Sequence, residues 1–143
     1  MKNKDSMPDQ PALLKAAGLR LTRQRQVLAA LLFDGKHKHV TAEQLHAAAC
    51  KRRVSISLAT VYNTLHQFTD AGLLRKVVVG QDSVYFDTNT DAHHHFFDEG
   101  SGHLIDVPAS AVSIDLLLPP PAGCKVTRVD VTIRVSATDK KDA

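Results

Sequence analysis

At Gly72 the hydrophobic pattern of this 143-residue chain changes period, and that switch limits its fold more than any other feature. Before it, apolar residues recur at the three- and four-residue spacing of helices; after it they alternate as in strands. A short helix is predicted over 11–17, with Gly18 as its stop. Thr22 can cap a second helix whose stripe is Val27, Leu28, Leu31 and Leu32. Thr41 and Gln44 have the capping-box spacing for a third, which buries Leu45, Ala48 and Ala49. Ser57 can cap a fourth with Leu58, Val61, Leu65 and Phe68 inward, ending at Gly72. Strands at 73–79 and 83–86 then flank a Gly80–Asp82 turn. Helices followed by a two-stranded wing make a winged helix-turn-helix.

A second unit starts near Thr88. Strands are expected over 93–97 and 103–107 around the Gly100–Gly102 turn, then a short helix from Pro108 to Leu118. A strand over 126–135 is expected to place Val129, Val131, Ile133 and Val135 on one face. So small a unit has little core of its own, and a second copy of the chain would supply the missing burial. The expected fold class is therefore α+β. Residues 1–87 form a winged-helix DNA-binding domain and residues 88–143 a small α/β dimerisation and effector-sensing domain.

Charge divides along the same line. Residues 1–87 carry thirteen Lys/Arg and seven Asp/Glu, a net +6; residues 88–143 carry five and eight, a net −3. A basic front fits a polyanion partner for the first unit alone. No apolar run approaches the roughly 20 residues of a membrane helix, and residues 1–11 lack the apolar core of a signal peptide. Cys50 and Cys124 supply no CxxC motif and read as unpaired thiols, so a cytoplasmic protein without membrane attachment is expected. There is no HExxH motif and no nucleophile elbow, which argues against a metallohydrolase; the chain reads as a non-enzyme.

The fourth helix carries the candidate DNA-reading groups. With its apolar stripe inward, Ala59, Thr60, Tyr62, Asn63 and His66 face the other way. Small, hydroxyl, aromatic and amide groups near a helix N-terminus suit the major groove, where Asn can contact adenine and apolar groups can meet thymine methyls. Arg20, Arg23 and Arg25 surround the start of the second helix and can hold phosphates or enter a minor groove. Lys51, Arg52, Arg53 and the wing pair Arg75 and Lys76 add candidate backbone contacts. In the second unit, the run His93, His94, His95 on a strand puts 93 and 95 on one face and 94 on the other, so two imidazoles can share one metal.

The stretch Ser57 to Leu65, continuing through Phe68 to Gly72, resembles the recognition helix of the ferric uptake regulator family, as does Ala17 to Thr22 leading into Arg25. The resemblance runs from about Leu13 to Asp106. It implies an iron-responsive repressor that binds double-stranded operator DNA as a homodimer, with Tyr62 touching bases and Arg20 at the minor groove. It also implies a regulatory metal site of His39, Asp87, His93, His95 and Asp106, the last matching an acidic ligand of the peroxide-sensing branch. Three nitrogens and two oxygens suit Fe(II), Mn(II) or Zn(II). Asp98 and Ser101 stand where most relatives place the first CxxC pair, and no second pair follows, so no structural zinc held by four cysteines is expected. These departures, with the His-His-His-Phe run, resemble the iron response regulator branch of alphaproteobacteria. That branch implies heme sensing at His93, His94 and His95, and a heme-delivering enzyme as a further partner. The alternatives are a divalent-metal or peroxide sensor of the same fold that ignores heme, and an architectural DNA binder whose histidines are incidental.

Overall fold

The computed structural model describes residues 8–81 and 83–139, and the chain divides into two compact units between Thr90 and Asp91. In the first unit, α1 (Gln10–Ala16), α2 (Arg23–Leu32), α3 (Ala42–Lys51) and α4 (Leu58–Asp70) start where the sequence supplies a side-chain cap. Asp9 accepts from the Ala12 N–H, Thr22 from Arg25 and Ser57 from Thr60. At α3 the box is reciprocal: Thr41 Oγ1 accepts from the Gln44 N–H, and Gln44 Oε1 accepts from the Thr41 N–H. The helices also stop as their sequences require. Gly72, at φ 81°, lets its N–H reach the Thr69 carbonyl while Leu73 N–H reaches Phe68, closing the last turn of α4.

The inward faces of these helices make one core in which Leu14, Leu28, Leu32, Val61, Leu65, Phe68 and Phe86 are fully buried. Leu58 departs from the expected stripe: it lies at the first turn of α4 and is 36% exposed, while Thr64 is buried in its stead. The wing, β2 (Arg75–Val78) and β3 (Val84–Asp87), forms as an antiparallel pair; of the turn expected between them, Asp82 lies outside the described residues. A two-residue strand that the sequence did not signal, β1 (His39–Val40), pairs antiparallel with β3, giving a three-stranded sheet of order β1-β3-β2. The first unit is thus a winged helix, and the fold class is α+β. No helix of the described residues is long and apolar enough to cross a membrane.

The second unit is a three-stranded sheet of order β5-β4-β6, with β4 at His93–Asp98, β5 at Leu104–Pro108 and β6 at Thr132–Val135. β5 pairs antiparallel with β4, and β6 pairs parallel to it. Two expectations fail here. The helix expected from Pro108 to Leu118 is a single 3-10 turn, Ala109–Ala111, and the residues that follow are irregular. Leu116, Leu117 and Leu118 are 62%, 92% and 81% exposed, so none of them packs a helix face against the described residues. The strand expected over 126–135 is confined to its last four residues, Thr132–Val135, which pair with β4 from His95 to Asp98.

The turn between β4 and β5 is closed by a carboxylate. Asp98 Oδ1 accepts the N–H groups of Gly100 at 2.9 Å and Ser101 at 3.4 Å, and the Asp98 backbone bonds to His103 and Gly102. The Ser101 hydroxyl and then the Gly100 N–H hold the Asp98 carboxyl below its ordinary pKa. This turn occupies the place where the resemblance led to the expectation of no cysteine-bound zinc.

Candidate functional site

The first unit presents two possible metal ligands through the register of its sheet. Pairing of β1 with β3 sets His39 opposite Asp87, with His39 Nε2 3.2 Å from Asp87 Oδ2. Asp87 is fully buried, and its other oxygen accepts the Asn89 N–H at 2.8 Å. A carboxylate buried so deeply needs partners of this kind to stay charged. Arg75 is its cross-strand partner on the opposite side, from β2.

In the second unit the strand period does the equivalent work. His93 and His95 fall on one face of β4, their ring centroids 4.5 Å apart, and both aim at Asp106, which pairs with His95 across β5. Asp106 Oδ1 lies 3.4 Å from His93 Nε2 and 3.5 Å from His95 Nε2. The carbonyl of Asp91 accepts from His93 Nδ1 at 2.6 Å, which selects the tautomer whose Nε2 carries the lone pair. His94 points the other way, and its Nδ1 accepts the Val131 N–H at 3.1 Å. That bond ties β4 to the residue that leads into β6.

These separations fit a metal. Two ligand atoms about 2.1 Å from a shared divalent ion stand about 3.0–3.4 Å apart at tetrahedral to octahedral angles. The donor pairs in each unit lie at or just above that range, and all five residues offer a ligand atom of the required kind. A mixed imidazole and carboxylate set accepts Fe(II), Mn(II) or Zn(II). A heme would call on a different atom, since His94 Nδ1 is already occupied and only its Nε2 could serve as an axial ligand.

The expected DNA-facing residues lie on the first unit, but not all in the same role. Ala59 and Asn63 are exposed on α4, and Thr60 and Tyr62 are half-buried beside them. Arg20, Arg25, Thr60, Asn63 and Gln67 line one groove. Arg20 and Arg23 are exposed, as a phosphate contact requires. Arg25 is already engaged: its guanidinium donates to Gln67 Oε1 at 2.8 and 3.3 Å and to the Arg20 carbonyl at 2.8 Å, latching α2 to α4. Arg75 corrects the sequence reading. It occupies an inward position of β2 and is 6% exposed, opposite Asp87, so it lacks the exposure that a phosphate contact requires; the exposed cation beside it on the wing is Lys76.

Two contributors escaped the sequence reading. Glu43, on the first turn of α3, accepts a hydrogen bond from the Tyr62 hydroxyl at 2.9 Å. Gln67 is the residue that Arg25 orients. Each is defined by a partner 19 or 42 residues away, and no local spacing announces such pairs. The Glu43 backbone and then the Tyr62 hydroxyl hold the Glu43 carboxyl below its ordinary pKa, and the same bond raises that of Tyr62.

Comparison with known proteins agrees with this architecture. Residues 16–131 match the profile of the ferric uptake regulator family. The chain is 38% identical over 95 residues to the peroxide-responsive repressor PerR of Staphylococcus epidermidis, a match covering 66% of this chain and 63% of that relative. The match thus spans somewhat under two thirds of the relative's length. The fold superposes on the Vibrio cholerae ferric uptake regulator with a TM-score of 0.71 at 25% identity, covering 90% of this chain and all of that one. It also superposes on the manganese-containing Pseudomonas aeruginosa ferric uptake regulator, with a TM-score of 0.68 at 22% identity, covering 92% and 100%. A match over most of its length, on a winged helix followed by a small sheet unit, makes this chain a member of the ferric uptake regulator family.

Proposed function

We propose that this protein is a metal-responsive transcriptional repressor that binds operator DNA as a homodimer, its affinity set by a divalent ion held between His39, Asp87, His93, His95 and Asp106. The observation that carries the reading is the pair of donor sets, one in each unit, with His93 and His95 sharing Asp106 and His39 facing Asp87. Only residues 88–92 separate Asp87 from His93, and six residue steps reach at most about 20 Å, so one ion can recruit both sets. Such an ion supplies the positive charge that lets two carboxylates and three imidazoles crowd together. In its absence the linker between the sets governs how the reading heads are posed; with it, their spacing is fixed for two half-sites.

Support for the DNA partner comes from the basic first unit and the exposed Ala59, Asn63, Arg20 and Arg23 around α4. Support for the homodimer comes from the second unit, where Ile105, Ile114, Leu117, Leu118 and Val126 are 41–92% exposed and a second copy would cover them. The name of the staphylococcal relative favours peroxide as an additional signal for the iron-loaded protein. The alternative, heme sensing of the iron response regulator type with a heme-delivering partner, rests on axial ligation by His94, through its Nε2, or by its neighbours His93 and His95.

One titration separates these readings. Duplexes enriched from a random library are bound to purified protein while Mn(II), anaerobic Fe(II) or heme is added. Mn(II) and Fe(II) are expected to tighten binding at least about tenfold in wild type and not in His95→Ala, and hydrogen peroxide to release DNA from the Fe(II) form only. A Soret band accompanied by DNA release, both lost when His93, His94 and His95 are all replaced by alanine, would instead select the heme reading. If no effector changes DNA affinity, the sensing account is wrong and a plain DNA binder is left.

A further inference from the structure

Tyr62 sits on the outward side of α4 between exposed Ala59, Asn63 and His66, its ring stacked on His66 at 6.4 Å between centroids and 23° between planes. The ring is therefore anchored, and the hydroxyl has one observed partner, Glu43 Oε1 at 2.9 Å. A carboxylate accepts hydrogen bonds and, when ionised, cannot donate, so the phenolic proton lies toward Glu43. Glu43 is held in the ionised form by its own backbone and by this bond. The Tyr62 oxygen then has lone pairs to offer and no proton.

On this basis we propose that Glu43 makes Tyr62 an acceptor-only reader of the major groove, selecting a base that presents an amino group there, adenine or cytosine. The proposal rests on the DNA-binding reading above and adds to it a polarity at one position of each half-site. Adenine N6 and cytosine N4 donate in the major groove, whereas guanine O6 and N7 and thymine O4 accept. Against an acceptor base, the phenolic oxygen and the nearby carboxylate would both be repelled. Turning the hydroxyl to donate would break the bond to Glu43 and leave its carboxylate against the DNA without that partner. Glu43 is thus a positioning residue: it acts through the proton of Tyr62 and not by touching the base itself.

The test is base-by-base selection from a random duplex library by the full-length, Mn(II)-loaded protein. Wild type, Tyr62→Phe, Glu43→Ala and the double variant are compared, with thermal unfolding checked for each. Wild type is expected to prefer adenine or cytosine over guanine or thymine at one position of each half-site by about five- to tenfold, the worth of a single hydrogen bond. Tyr62→Phe removes that preference. Glu43→Ala frees the hydroxyl to donate and brings the four bases within about twofold, while in the Tyr62→Phe background it changes nothing further. An unaltered preference in Tyr62→Phe overturns the proposal, and because that variant deletes only a surface hydroxyl it decides even if Glu43→Ala fails to fold. A preference that shifts equally with Glu43→Ala in both backgrounds also overturns it, since Glu43 would then read the base directly. Wild type that enriches no sequence defeats the DNA-binding reading itself, which distinguishes the two failures.

Discussion

Arg53 is, among the described residues, the non-glycine residue held at positive φ, 57°. It closes the end of α3 just as Gly72 closes α4, its N–H reaching Cys50 and that of Val54 reaching Ala49. An L side chain in that conformation costs about 1 kcal/mol that glycine avoids. Arg53→Gly is therefore expected to raise the urea midpoint by the equivalent of about 0.5–1 kcal/mol. With Lys51 and Arg52, Arg53 forms an exposed run of three cations. Asp98 makes the opposite case, a side chain that stabilises its own turn. Its folded pKa lies below 3.8, so its contribution is complete above that pH and is lost as the pH falls through the folded value. Asp98→Asn is expected to unfold at lower temperature than wild type at pH 7, with the gap closing as acid protonates the folded carboxyl. A gap that persists in strong acid would mean that the charge is not what holds the turn.

The helices of the first unit were legible because their signals are local. Each cap and stop named from sequence (Thr22, Thr41 with Gln44, Ser57, Gly18, Gly72) is found at work in the structure, and Asp9, which the sequence reading did not name, caps α1 as well. Thr41→Ala removes one half of a reciprocal box and is expected to cost about 1 kcal/mol in urea unfolding, with Thr41→Ser recovering most of it. What the sequence concealed depends on tertiary partners. β1 is two residues long, too short for any periodicity, and exists because β3 has an open side. Arg75 looked like a wing cation until strand alternation turned it inward against Asp87. The tail from 112 to 131 carries plausible apolar patterns, yet no described element lies over it, so the patterns stay exposed and irregular. The convergence of the candidate ligands His93, His95 and Asp106 was partly readable, from the strand period for the histidines and from the resemblance for Asp106.

For the two units together, the proposed ion has a thermodynamic signature that neither half alone can mimic. A ligand present at a hundred times its dissociation constant adds about 2.7 kcal/mol to the state that binds it. Mn(II) is therefore expected to raise the melting temperature by roughly 5–10 °C. His39→Ala and His95→Ala, one in each unit, should each abolish most of that rise. If His39→Ala leaves it intact, the ion is held by the second unit alone. Acidification should shrink the rise as well, since imidazoles bind metal only when deprotonated. The bend joining β4 to β5 has a chemistry that bears on oxidants. It is fastened by oxygen atoms of Asp98 and Ser101 accepting from backbone N–H groups, where a cysteine knot would rely on sulfur. Hydrogen peroxide and diamide open sulfur-based fastenings by converting thiolates to sulfenic acids and disulfides. This bend offers them neither a thiolate nor a disulfide, so its own hydrogen bonds are expected to survive hydrogen peroxide and diamide.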